Sequence, residues 1–409
     1  RLMNNCNTHP APLLLTFFSL IALVISGCTE PLDERWQKLD GAIQAAVDAD
    51  QIPGAVLLTA EKGEVVLHRA YGHADPLSEQ PMMPNTLFRI CSQSKAITAT
   101  AAMICWEKGL LGLDDPVAQY IPAFAEIGVL DSLAADTSFS SIPTENVMTI
   151  RHLMTHTSGI PYGEIGDPRF EKLYTKYDVT DLFPRDERST LENAERIGQL
   201  ALAHEPGSRW TYSLGLDVLV AVIEVASGQP YAEFVSAEIF EPLGMNDTHF
   251  VVPEPDRFRV ANVMERHPDG TSWQTHQHAD YTIDYPMHDE WPLCSGGAGL
   301  TSSAGDYAKF LQMYLGRGAG EGVRILKEAT VDSVMADQAP GLLSGPWQQG
   351  LAFGVKRDTL GAGRFFWSGY FNTQYYADPS TQEVVVLMKQ TYGLERDTTS
   401  TAFNELLWN

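Results

Sequence analysis

Apolar residues first recur at helical spacing near the start of the chain's folded part. Trp36, Leu39, Ile43 and Val47 fall on one stripe and predict a helix over 34–49. The next apolar runs, 54–60 and 65–71, are β-prone and flank Lys62-Gly63, the pattern of a hairpin. Residues 96–104 (Ala-Ile-Thr-Ala-Thr-Ala-Ala-Met-Ile) are apolar or small on every side, which reads as a buried helix. From about 75 to 345, helices and loops dominate. Within that section 131–146 is polar and rich in small residues, predicting an exposed loop. The stretch 160–189 carries many charges and aromatics and reads as a long loop placed where it can act as a lid. Another helix-like run covers 216–227. Short β-prone segments return at 351–355, 364–369, 373–377 and 384–388, and 398–408 predicts a closing helix. Strands from both ends of the chain are thus expected to share one antiparallel sheet. The fold class is α/β of the α+β type, with a mainly helical section inserted between the strands.

The head of the buried helix carries the first candidate chemistry. Ser92-Gln93-Ser94-Lys95 places a hydroxyl and an amine three residues apart, and positions i and i+3 share a helix face. Serine becomes a useful nucleophile when a neighbouring base takes its proton, and a buried lysine can be that base. The pattern alone is weak, because a helix-capping serine and a surface lysine produce it as well.

Composition changes the picture in two places. The net charge of −24 excludes nucleic acid as an expected partner and favours solubility. Residues 13–25 form an apolar run too short to span a bilayer and suited to a signal segment. Ile25-Ser26-Gly27-Cys28 follows and resembles a bacterial lipoprotein signal, in which the cysteine is acylated. The expectation is a signal segment over 1–27 and a hydrolase domain over 28–409. The protein would be exported and held by Cys28 to the periplasmic face of the outer membrane. Cys91 and Cys105 lie about 21 Å apart along one presumed helix and cannot bridge, so no essential disulfide is expected.

Three segments then converge on a family. They are Ser92-Gln93-Ser94-Lys95, the stretch from Glu205 to Leu214 containing Tyr212, and Trp367-Ser368-Gly369 at a strand end. In this order and at these separations they resemble the serine β-lactamase and penicillin-binding-protein superfamily. The nearest branch looks like class C β-lactamases, DD-peptidases and the family VIII esterases. Residues 150–159, 240–245 and 296–300 with Asp306-Tyr307 extend the match over about 43–388. The resemblance implies Ser92 as acylated nucleophile, Lys95 as its base, and Tyr212 as sharing the base role and protonating the leaving group. It also implies an oxyanion hole from the backbone N–H groups of Ser92 and Tyr370. Trp367, Ser368, Gly369, Leu214 and Phe371 would then line the substrate cleft.

Two departures from the family pattern bear on substrate. Leu214 stands where β-lactamases and peptidases carry a polar residue, and Trp367 stands where they carry a lysine that helps recognise a carboxylate. Neutral esters are therefore the expected substrates, cleaved through a Ser92 acyl-enzyme with no metal or cofactor required. The alternatives are a DD-peptidase, D-aminopeptidase, weak β-lactamase or acyltransferase on the same scaffold, or a non-catalytic cell-envelope binding protein. His152 and His156, spaced i, i+4, lack the glutamate of a zinc motif and read as core or hydrogen-bonding residues. His276, His278 and His288 read as a surface loop. Cys91 reads as a packing residue, and oligomeric state is left open.

Overall fold

The computed structural model describes residues 32–357, 363–393 and 397–408. The apolar run 13–25 and Cys28 lie outside these residues. Strand Gly54–Glu61 is buried along nearly its whole length, and its two faces feed two different cores. Val56, Leu58 and Ala60 join the large core, while Ala55 and Leu57 join a smaller one with Trp36, Leu39, Ile43, Phe403 and Leu407. Side-chain alternation along a strand does this sorting. Both destinations are apolar, so the sequence shows a continuous run rather than an alternating pattern.

One eight-stranded antiparallel sheet organises the molecule. Its order from one edge is Trp347–Gln349, Gly354–Lys356, Phe365–Ser368, Gln374–Asp378, Glu383–Met388, Gly54–Glu61, Glu64–Asp75, Gln80–Pro81. The ends of the chain meet where Leu57 pairs with Leu387 and Leu58 with Val386. Helices Glu34–Asp48 and Thr398–Trp408 cover the outer face. Helix Ala304–Leu315 packs on the inner face. Beyond it, helix Ser94–Glu107 is buried from Ser94 through Cys105 and packs against helix Gly215–Ser227. Both bury nearly every side along most of their length, so neither shows a solvent-facing polar stripe there.

The structure differs from the sequence reading in two loops. Residues 131–146 contribute to a hairpin, Gly128–Leu133 with Phe139–Pro143, rather than a plain loop. Most of its side chains are exposed or half-exposed, so neither face produces the alternating apolar signal of a packed strand. The segment 160–189 contains helix Pro168–Lys176, opened by an Asp167 N-cap and Pro168 in the first turn. Among the described residues no single helix is long and apolar enough to cross a membrane.

Candidate active site

Strand Phe88–Arg89 runs into a short turn, Cys91–Gln93, and then directly into helix Ser94–Glu107. The turn is held from several sides. Ile90 N donates to Leu300 O at 3.0 Å, Leu300 N donates to Ser94 Oγ at 3.1 Å, and the Tyr307 hydroxyl donates to Gln93 O at 3.0 Å. Cys91 adopts a left-handed backbone, φ +46°, one residue before Ser92. A non-glycine residue there is strained and persists because its surroundings over-determine it. Burial pushes the Cys91 thiol up to about 12, so it is a packed neutral group and not a competing nucleophile.

Lys95 is fully buried. Its Nζ lies 3.3 Å from Ser92 Oγ, 2.9 Å from the Tyr162 hydroxyl and 2.8 Å from Gly297 O. The Gly297 carbonyl and the Tyr162 hydroxyl oxygen both accept from Nζ, which fixes the amine beside Ser92 Oγ. Gly297 has to be glycine: a Cβ there would come within 2.5 Å of Asp217 Oδ2 and 2.6 Å of the Tyr162 hydroxyl. Behind it the buried Asp217 Oδ1 accepts from Ser295 Oγ at 2.7 Å and from Gly297 N at 3.2 Å. Burial raises the Asp217 carboxyl above its ordinary value, with Lys95 pulling the other way. Burial likewise holds the Tyr162 phenol well above its usual value.

Tyr212 sits beside this group but bonds elsewhere. Lys95 Nζ stands 4.7 Å over its ring, and its hydroxyl accepts from Trp367 Nε1 at a long 3.5 Å. An aromatic wall surrounds it, with ring centroids at 4.7 Å for His156, 5.3 Å for Tyr162, 6.0 Å for Trp367 and 6.3 Å for Trp210. His156 is the wall's buried core member. Its Nδ1 accepts from Ser213 N at 3.3 Å, and burial, aided by Lys95, pushes its imidazole well below the ordinary value. It is therefore a neutral packing ring. His152 Nδ1 accepts from Thr149 N in a helix-capping box.

Trp367, Ser368 and Gly369 close the opposite side. Gly369 passes so near the nucleophile turn that a Cβ would lie 2.4 Å from Ile90 O. The backbone N–H groups of Phe371 and Tyr370 face the Cys91 thiol. Ser368 is exposed and Trp367 half-buried. Leu214 and Phe371 differ from expectation. Leu214 caps helix Gly215–Ser227 from within the core, and Phe371 is fully buried, stacked on Phe183 at 5.6 Å. Both support the cleft from behind and present no surface to a substrate.

The sequence reading missed Tyr162, which lies 67 residues from Lys95 with no periodic signal to link them. Its one cue was its place among the aromatics of the segment 160–189. His276 also differs from expectation: it is buried rather than in a surface loop, with Glu265 at 2.5 Å and Tyr281 at 2.8 Å.

The model of the family described as Beta-lactamase matches residues 39–407. The chain belongs to the Beta-lactamase family. Among curated relatives, Esterase EstB of Burkholderia gladioli is 32% identical over 376 residues, covering 87% of this chain and 90% of the relative. Lovastatin esterase of Penicillium rubens is 31% identical over 301 residues, covering 72% and 71%. Among solved structures, EstCE1, a hydrolase with promiscuous acyltransferase activity, superposes with a TM-score of 0.76 at 26% identity. That match covers 92% of this chain and 98% of EstCE1. This member of the Beta-lactamase family is a serine hydrolase of the esterase type, on a β-lactamase/transpeptidase-like fold.

Proposed function

We propose that this protein hydrolyses neutral carboxylic esters through an acyl-enzyme on Ser92. The observation that carries the reading is the lysine beside the serine: a buried amine 3.3 Å from Ser92 Oγ with two other acceptors already in place. Lys95 takes the Ser92 proton as Oγ attacks the ester carbonyl. The backbone N–H groups of Ser92 and Tyr370 hold the oxyanion, a contribution of about 3 kcal/mol per donor. Tyr212 gives its phenolic proton to the leaving alcohol and regains one from the protonated Lys95, the indole N–H of Trp367 steadying the phenolate meanwhile; Lys95 then takes a proton from the water that releases the acid and returns it to Ser92 Oγ.

The aromatic wall of Trp210, Tyr212 and Trp367 supports an uncharged, apolar substrate group, since it offers flat π faces and no cation for a carboxylate. Export and anchoring through Cys28 are part of the same reading and rest on the sequence of residues 13–28. Turnover of a panel of p-nitrophenyl esters, nitrocefin and D-alanyl peptides tests the proposal. Ester turnover abolished by Ser92→Ala is expected; a preference for the β-lactam or the peptides would contradict it.

A further inference from the structure

Asp217, in the first turn of helix Gly215–Ser227, is a buried carboxylate beside Lys95. Its helix packs on helix Ser94–Glu107, which carries the amine. Asp217 Oδ1 accepts from Ser295 Oγ at 2.7 Å and from Gly297 N at 3.2 Å. The carbonyl of that same Gly297 accepts from Lys95 Nζ at 2.8 Å, so one residue separates carboxylate from amine. The other oxygen, Oδ2, is buried without a hydrogen-bond partner among the described residues. It faces the Tyr162 hydroxyl across the bare Cα of Gly297, where a Cβ would come within 2.5 Å of Oδ2 and 2.6 Å of that hydroxyl. The same hydroxyl holds Lys95 Nζ at 2.9 Å.

Holding the turn of residues 295–299 does not call for a carboxylate. Gly299 N donates to Ser295 O at 2.8 Å, and Thr98 Oγ1 donates to Gly296 O at 2.8 Å. An asparagine would accept both bonds made to Oδ1, and a buried charge with an unpartnered oxygen is costly. What the carboxylate alone supplies is negative charge, which the helix N-terminus favours at this position. Lys95 has a use for it. Ser92 Oγ, the Tyr162 hydroxyl and Gly297 O are all uncharged, so the ammonium formed by the serine proton is buried among neutral partners. The other titratable groups around it supply no anion. Burial keeps the Tyr162 phenol and the Cys91 thiol protonated and the His156 imidazole neutral, and Tyr212 meets Nζ with its ring face. Asp181 is bonded to Gly163 N and Glu164 N, and the Arg89 guanidinium to the carbonyls of Ile283 and Ala261.

We infer that Asp217 is a positioning residue that acts through Lys95, its negative charge complementing the ammonium formed as Ser92 Oγ attacks. The inference rests on the acyl-enzyme reading above. The proton moves from Ser92 Oγ to Lys95 Nζ, and Asp217 neither gives nor takes one. A fixed negative charge in a water-excluded setting stabilises the cation as it forms.

The test is the pH dependence of p-nitrophenyl butyrate hydrolysis between about pH 5 and 9. The wild type, Ser92→Ala, Asp217→Asn and Ser295→Ala are compared, each checked for native circular dichroism. Asp217→Asn keeps the acceptor for Ser295 and Gly297 and removes the charge. It is expected to lower kcat roughly tenfold. It should also move the acid limb of kcat/KM, where protonation of the base stops catalysis, to lower pH by about one unit. Ser295→Ala removes a hydrogen bond and keeps the charge, so its acid limb should stay at the wild-type position. If Asp217→Asn fails to fold, Asp217→Ala carries the same expectation for the limb. An unmoved limb in folded Asp217→Asn, whatever its kcat, or a limb moved to higher pH would overturn the inference. An equal shift in Ser295→Ala would do the same, since it would assign the effect to the hydrogen bond. Absence of Ser92-dependent ester turnover in the wild type would instead remove the acyl-enzyme reading beneath it.

Discussion

Lys95 Nζ is hydrogen-bonded to the hydroxyl of Tyr162 at 2.9 Å, and meets Tyr212 only across the face of its ring. Two tyrosines therefore flank one amine in different geometries, which separates their expected roles. On the proposed reading Tyr162 would orient the base, and Tyr212, reached by Trp367 Nε1, would carry a proton towards a leaving group.

Leaving-group chemistry distinguishes them. Tyr212→Phe should lower kcat roughly 10²-fold on simple alkyl esters, whose alcohols need a proton to depart. The loss should be smaller on p-nitrophenyl esters, whose leaving group departs as the anion. Tyr162→Phe should lower kcat by a similar factor on both ester types, because it disturbs the step common to them. Parallel kinetics on the two ester types check this. The reverse pattern would make Tyr162 the proton carrier.

Cys91 allows a test of its packing role beside the nucleophile. With φ at +46° and a buried, protonated thiol that only packs, Cys91→Ala should keep most activity. Iodoacetamide should leave the native enzyme active. Inactivation by the reagent, or a dead Cys91→Ala enzyme with native circular dichroism, would assign the thiol a chemical role.

Asp181 ties the segment 160–189 to pH. Its Oδ2 accepts from Gly163 N at 2.9 Å and Glu164 N at 2.6 Å, immediately after Tyr162, yet burial pushes its carboxyl up to about 7. The folded protein thus holds this proton to about pH 7, while the unfolded chain releases it near pH 4. Between those values the unfolded state binds fewer protons, so this group's contribution to stability falls as pH rises. Asp181→Asn, which keeps an acceptor oxygen and never ionises, should raise the melting temperature at pH 8 and change it little at pH 4. Equal shifts at both pH values would show that the titration is not responsible.

The central sheet and the buried helix were legible because their signals are local. The runs 54–60 and 384–388 are short, apolar and β-prone, and Ser94 to Cys105 has no polar face. Ser92, Lys95, Tyr212 and Trp367, singled out by motif order, lie together in the fold. Tyr162, Glu265 and His276 were not legible, since their partners come from tertiary packing across long sequence separations. Leu214 was placed in the cleft because it stands two residues after Tyr212, where the family carries a polar residue, and Phe371 because it follows Tyr370; both are instead buried in the core.

Substrate class turns on Trp367. A cation that binds a substrate carboxylate contributes roughly 1.5–3 kcal/mol. Lacking one at this position, the enzyme should favour short neutral esters over nitrocefin by roughly 10² or more in kcat/KM. Trp367→Lys should narrow that gap, although it also removes the indole N–H from Tyr212 and should slow ester turnover. Comparable wild-type values for nitrocefin and ester would refute the specificity argument.

The most direct measurement is active-site labelling with a fluorophosphonate, followed by peptide mapping. The label is expected on Ser92, at one site per chain, and lost in Ser92→Ala while Cys91→Ala retains it. A label on another residue, or one that persists in folded Ser92→Ala, would contradict the assignment of Ser92 as the nucleophile.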